Sequence, residues 1–185
     1  MKHIAYIQLK SKVKFIVFVF VCSVLLSAQI QPSREYQIKA VFILNFAQFI
    51  EWPADAFSSA KAPLVIGILG KDPFGQFLQD AIQGEKSKGH PLQVKRFSQV
   101  SEVKQCHILF INQTKSDQEL DVITSSDNQH VLTISDATDF IQQGGIVRFV
   151  TENNKIRFQI NLNAARQNEI TISSKLLRLA EIVNN

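Results

Sequence analysis

Cysteine is scarce in this chain, and the scarcity narrows its chemistry. Its 185 residues hold two cysteines, Cys22 and Cys106. Cys22 lies inside an apolar run near the N-terminus that reads as an export signal. If that run is removed, Cys106 is left alone, and no disulfide can form within the chain; a bond between chains would need Cys106 to be exposed. Cys106 stands in QCHILFI, at the mouth of an apolar strand, where a buried and inert thiol is expected. Tryptophan occurs once, as Trp52, and glycine seven times. The glycines carry no nucleotide fingerprint. Gly70 to Gly75 (GKDPFG) follows a strand but continues with Gln76 and Phe77, where a phosphate-binding loop needs Lys and Ser or Thr, and Rossmann glycine spacing is absent.

An excess of one charge is also missing. The chain carries 20 basic and 16 acidic residues. Residues 1–28 contain four lysines and no acid, so the remainder holds 16 of each sign. No basic patch or arginine cluster remains to meet a nucleic-acid backbone, and none is expected as a partner. Besides His3, the histidines are His90, His107 and His130, scattered and without ligand spacing to any cysteine or carboxylate, so no metal site is expected. Cys106 and His107 are neighbours on a strand and point to opposite faces, which excludes a nucleophile–base pair. No catalytic residue and no cofactor is expected.

What is present begins with the signal. Lys2, Lys10, Lys12 and Lys14 form a basic leader, Phe15 to Leu26 an apolar run of twelve residues, and Ser27-Ala28-Gln29 a small-residue cleavage region. The run is short for a membrane span. The expectation is a cleavable signal peptide over 1–28, a periplasmic location, and one domain over 29–185. An uncleaved N-terminal anchor is the alternative.

The rest alternates. A helix is predicted over Glu35 to Glu51, ended by Pro53 because the residue before a proline avoids helical backbone. PLVIGIL, residues 63–69, is continuously apolar, as in a strand buried on both faces. Asp72 and Pro73 look like an N-cap and first helical residue, with Phe74, Phe77, Leu78, Ala81 and Ile82 as the stripe. Strands are expected at 92–97, 107–111 and 131–134, short helices around Val100–Val103, Leu120–Ile123 and Ala137–Ile141, and a hairpin from 146–150 to 155–162 turning at Glu152-Asn153-Asn154. A last helix is expected over Ser174 to Val183. The pattern predicts an α/β fold: a doubly wound, mostly parallel sheet of about six strands, helices on both faces, and a C-terminal antiparallel hairpin.

In order along the chain, NFAQFIEWP, PLVIGILGKDPFG, QCHILFI, VLTISDATDFIQQGGIVRFV and IRFQINLNAARQNEITISSKLLRLA resemble the YfiR/HmsC family of periplasmic regulators, over about Tyr36 to Val183. The resemblance implies a dimer that binds the periplasmic domain of a membrane-bound diguanylate cyclase and represses it, lowering cyclic di-GMP and biofilm formation. Some members use intramolecular disulfides, which a single remaining cysteine does not allow. The expected function is therefore a non-catalytic periplasmic regulator. The alternative is a periplasmic small-ligand-binding module serving another membrane receptor, such as a sensor kinase.

Two candidate surfaces follow. In the first helix Phe42, Phe46 and Phe49 form a stripe able to cover the sheet, and apolar residues are left over on another face. Phe42, Phe46, Phe49, Trp52 and Pro53 are the candidate contacts for a partner or a second copy; a central helix with neighbours on both sides is the alternative. A possible ligand pocket draws on Lys71 and Asp72 in the loop after the first apolar strand, with Arg157, Asn161 and Arg166 from the end of the chain. Asn161 and Ser173 are also natural turn and cap residues.

Overall fold

The computed structural model describes residues 32–112 and 129–183, and all of these belong to one compact unit, Pro32–Asn185. The leader and the helix expected around Leu120–Ile123 lie outside the described residues.

The first helix, α1 (Arg34–Phe49), gives way to β1 (Ile50–Glu51) and a single 3-10 turn at Ala54–Ala56. Then come β2 (Leu64–Gly70), α2 (Gln76–Ile82), β3 (Lys86–Ser87), β4 (His90–Phe97), a 3-10 turn at Val100–Glu102 and β5 (Ile108–Asn112). After the undescribed stretch follow β6 (Leu132–Ser135), β7 (Val147–Glu152), β8 (Lys155–Asn161), α3 (Leu162–Gln167), β9 (Thr171–Ile172), α4 (Ser174–Leu177) and β10 (Glu181–Val183).

Eight strands form the main sheet in the order β10-β8-β7-β6-β5-β2-β4-β3, and β1 pairs with β9 in a separate ribbon. Pairing in the main sheet is parallel except at β3–β4 and β7–β8. The fold is thus mixed α/β, with more strands than the six expected. The additional ones, β1, β3, β9 and β10, are two or three residues long, too short to show a period.

Both faces of the sheet are buried, which explains why β2 is continuously apolar. On one face Ile66, Ile68, Ile108, Phe110, Leu132 and Ile134 pack with α1 and α2. On the other, Val65, Leu69, Leu109 and Ile111 pack with Phe97, Val103, Cys106 and Phe140. Gly67 sits on that second face, where an added Cβ would lie 2.6 Å from the Cys106 sulfur.

Four expectations change. α1 stops at Phe49, before Pro53, because Ile50 and Glu51 leave the helix to pair with Ile172 and Thr171. Asp72 does not cap α2: its Oδ1 accepts from the amides of Phe74 (2.7 Å) and Gly75 (3.1 Å), closing a turn, and the helix starts only at Gln76. Ala137–Ile141 makes turns rather than a helix, drawn tight where the Gly145 amide donates to the Phe140 carbonyl at 2.9 Å. The last helix keeps only Ser174–Leu177, and Glu181–Val183 becomes a strand parallel to β8. That exchange satisfies backbone groups that an open β8 edge would leave unpaired, and β-branched Ile182 and Val183 suit a strand. The hairpin stands as expected, with Asn153 (φ 49°) and Asn154 (φ 61°) in the left-handed pair of a two-residue turn.

Candidate functional site

α1 has two unlike sides. Its buried side holds Lys39, Ala40, Ile43, Phe46 and Ala47, spaced three and four apart as one helical face requires. Phe46 is fully buried, stacked on Phe149 (centroids 5.9 Å) and edge-on to Phe158 (5.2 Å). Phe42 lies half-buried beside it, 5.4 Å from Phe158. The open side carries Ile38, Val41 and Phe49, exposed by 39, 47 and 37 %. Of the candidate contacts, Phe46 therefore belongs to the core, and Phe49 faces outward with Phe42 at the margin. Ile38 and Val41 supply apolar surface that the candidate contacts did not include.

Lys39 is the charged member of the buried side, 2 % exposed. Its Nζ meets Glu35 at 2.7 Å and Asp136 at 2.8 Å and lies 4.5 Å from the Tyr36 ring centroid. Tyr36 also donates to Asp136 at 3.1 Å. A buried ammonium needs such partners. The hydrogen bond from Lys39 holds the Glu35 carboxyl below its ordinary range, and burial, with Asp136 nearby, pushes the Tyr36 phenol up to about 12. Lys39 carried a legible signal: Phe42, Ile43, Phe46 and Ala47 stand three, four, seven and eight residues on, along the same face.

The chain leaves α1 through Trp52 and Pro53, both half-buried, and is seated by histidines. His107 accepts at Nδ1 from the Val65 amide (3.1 Å) and its Nε2 reaches the Ala56 carbonyl (3.0 Å). The Phe57 ring lies between His90 (3.8 Å) and His107 (4.4 Å), with Trp52 edge-on to His107 at 6.2 Å. Burial brings the His107 imidazole down to about 4, the nearby His90 and Lys95 charges adding to it. Cys106 is buried behind it, its thiol pushed up to about 12 by desolvation. Such a thiol is a poor nucleophile, and both His107 nitrogens are engaged with backbone.

The possible ligand pocket does not assemble. β8 runs antiparallel to β7, while β7 is parallel through β6 and β5 to β2. Asn161, at the end of β8, thus lies at the opposite end of the sheet from Lys71 and Asp72, which follow the end of β2. Each residue has a local task or an open position. Asp72 binds Arg96 Nε at 2.6 Å. Asn161 caps α3 by accepting from the Ala164 amide at 3.1 Å. Arg157 reaches Glu152 at 3.8 Å, both side chains being exposed. Lys71 and Arg166 are exposed, and Arg166 borders a hollow of about 240 Å³ with Leu162, Ile170 and Leu177. Ser173 caps α4, its Oγ accepting from the Leu176 amide at 3.4 Å.

Among the described residues no group of three or more His, Cys, Asp or Glu side chains is placed to hold a metal ion, and no helix is long and apolar enough to cross a membrane. The fold and its surfaces define a mixed α/β domain that, among the described residues, leaves one apolar helix side open. The chain belongs to the YfiR/HmsC-like family, whose model matches residues 36–181. That family is a regulatory one and not a known catalytic one. Among curated proteins none matches the chain.

Proposed function

We propose that this protein is a non-catalytic periplasmic regulator, delivered by a cleavable signal over residues 1–28. It acts as a homodimer that binds the periplasmic part of a membrane-bound diguanylate cyclase and holds it inactive, lowering cyclic di-GMP and biofilm formation. Family membership supports the regulatory class. The observation that carries the contact reading is the open side of α1, where Ile38, Val41 and Phe49 expose apolar surface along one helix. Full burial of such a side chain is worth roughly 1.5–3 kcal/mol, and with 37–47 % of each still open a partner that covers the row gains the remaining part of it. Repression requires this surface to bind one state of the cyclase better than the other.

Intracellular cyclic di-GMP, compared in cells with and without the gene, tests the reading. A rise on deletion, reversed by the parent gene and not by Val41→Asp, is the expected result. No change on deletion removes the cyclase from the proposal.

A further inference from the structure

Three hollows border the segment from Trp52 to Ser58, and two of them adjoin. The larger, about 190 Å³, is lined by Asp55, Gln105, Gln129 and His130 among others. The smaller, about 70 Å³, is lined by Ser58 and Lys95, with Val65 as part of its apolar wall. Ala56, Gln105 and His107 bound both. The third, about 180 Å³, lies against Trp52, Phe57 and His90.

The polar groups here are unevenly matched. Among the described residues three buried side-chain nitrogens lack a hydrogen-bond partner: Trp52 Nε1, His130 Nδ1 and Arg148 Nε. Two of the three belong to walls of these hollows. An unmade bond at a buried polar atom costs ~1–3 kcal/mol, so two in one region ask for an explanation. The third oddity is Lys95. It is half-buried on β4 and has no ion pair among the described residues. Its charge nonetheless reaches inward: it disfavours a proton on His107 and favours the thiolate of Cys106, in both cases behind the larger effect of burial. Lys39, by contrast, meets two carboxylates. The acid beside the hollows, Asp55, is 77 % exposed and stands 3.9 Å from His130.

We propose that the paired hollows form a binding site for a small polar molecule ending in one oxyanion group, a carboxylate or a phosphate. The anionic end takes the smaller hollow against Lys95 Nζ and Ser58. A space of about 70 Å³ exceeds the ~30 Å³ share of one water in the liquid, which leaves room for such a group. The polar remainder lies in the larger hollow and bonds Gln105, Gln129 and the His130 nitrogen that has no partner among the described residues. An anion at Lys95 supplies the charge the ammonium lacks, and charge-assisted bonds of this kind are the stronger ones. The site is independent of the cyclase reading. It lies at the Trp52–Ser58 segment and not on the open side of α1, and it is assayed on purified protein.

The test is titration calorimetry of the purified full chain at neutral pH. Inorganic phosphate forms one arm, and acetate, succinate and malate the other. Trp52 emission is followed in parallel, because the only indole of the chain stands 6.2 Å from His107. Saturable binding in either arm, at about 1 mM or tighter, supports the proposal, and the arm that binds identifies the oxyanion. Lys95→Gln is expected to weaken that binding at least tenfold without lowering the melting temperature. Gln105→Glu, at an exposed position where folding is not at stake, should weaken it likewise by placing a carboxylate in the shared wall. Silence in both arms overturns the site, as does parent-like affinity in either variant.

Discussion

The two sides of α1 teach different things about one helix. The inner side is settled to the last atom: Phe46 lies among Phe42, Phe149 and Phe158, and the one charge there, on Lys39, is met by Glu35 and Asp136. The outer side is just as apolar over Ile38, Val41 and Phe49, yet nothing within the described residues covers it completely. The same residue types thus do opposite work according to which way they point. The inner set supplies full burial to offset the conformational entropy of ordering the chain, while the outer set keeps 37–47 % of its surface open to another surface.

That contrast can be broken at several points. Phe46→Ala removes a fully buried ring and should cost ~3–5 kcal/mol, read as a shift in the denaturation midpoint. A loss under 1 kcal/mol would mean that the inner side is not packed as described. Acid should loosen the segment that follows the helix. His107 keeps its proton less well in the folded state, at about 4, than the ordinary ~6.5 of an unfolded chain. Between those values the unfolded state binds more protons, so stability falls as pH drops from 6.5 toward 4, by on the order of 3 kcal/mol at full effect. In His107→Gln that slope should vanish. Glu35 adds a separate loss at lower pH: its depressed carboxyl contributes stability above its ordinary value, which disappears as acid protonates it.

Asp136→Ala takes one partner from Lys39 and leaves Glu35, so about 2 kcal/mol is expected, less than for a buried pair broken completely. Urea melts of Asp136→Ala, Glu35→Ala and the double variant measure whether the two carboxylates compensate for each other. The smallest effect sharpens the comparison most. Val41→Asp, on the outer side, should change stability by no more than ~0.5 kcal/mol while ending repression in cells. If it unfolds the domain instead, the outer side is core and the contact reading fails at that position.

Much of this architecture is legible in the residues. The apolar runs at 63–69, 107–111 and 131–134 mark three of the parallel strands because strands buried on both faces need no alternation, and the Asn153-Asn154 turn announces its hairpin. What escaped is instructive. β1, β9 and β10 depend on partners distant in sequence, and no local pattern in two or three residues can report a partner; helix propensity in LLRLAEIV loses to the unpaired edge of β8. Asp72 reads as a cap because Pro73 follows, and its carboxylate does accept from the amides two and three residues on, but Gly75 (φ 54°) leaves the helical backbone there and the helix starts only at Gln76. At the candidate surfaces, counting phenylalanines selected Phe46, which is buried, and passed over Ile38 and Val41, which are not. The helical period was visible, but the sheet decides which side of it is covered, and Lys39 was the marker of that choice. Lys71, Asp72, Arg157, Asn161 and Arg166 were grouped on the assumption that strand ends converge. The reversal of direction at β8 sends Asn161 and Arg166 to the opposite end of the sheet from Lys71 and Asp72, and Arg157 is set apart by the three strands between β8 and β2.

The short ribbon of β1 and β9 has a consequence for how the chain comes into being. Ile50 waits for Ile172, and the outer edge of β8 waits for Glu181–Val183. A chain that has emerged only as far as residue 170 holds neither pairing, and both wait for residues 171–183. Domains generally fold as units as they emerge, and this one closes its first ribbon and its last sheet edge only when residues 171–183 join strands laid down before them.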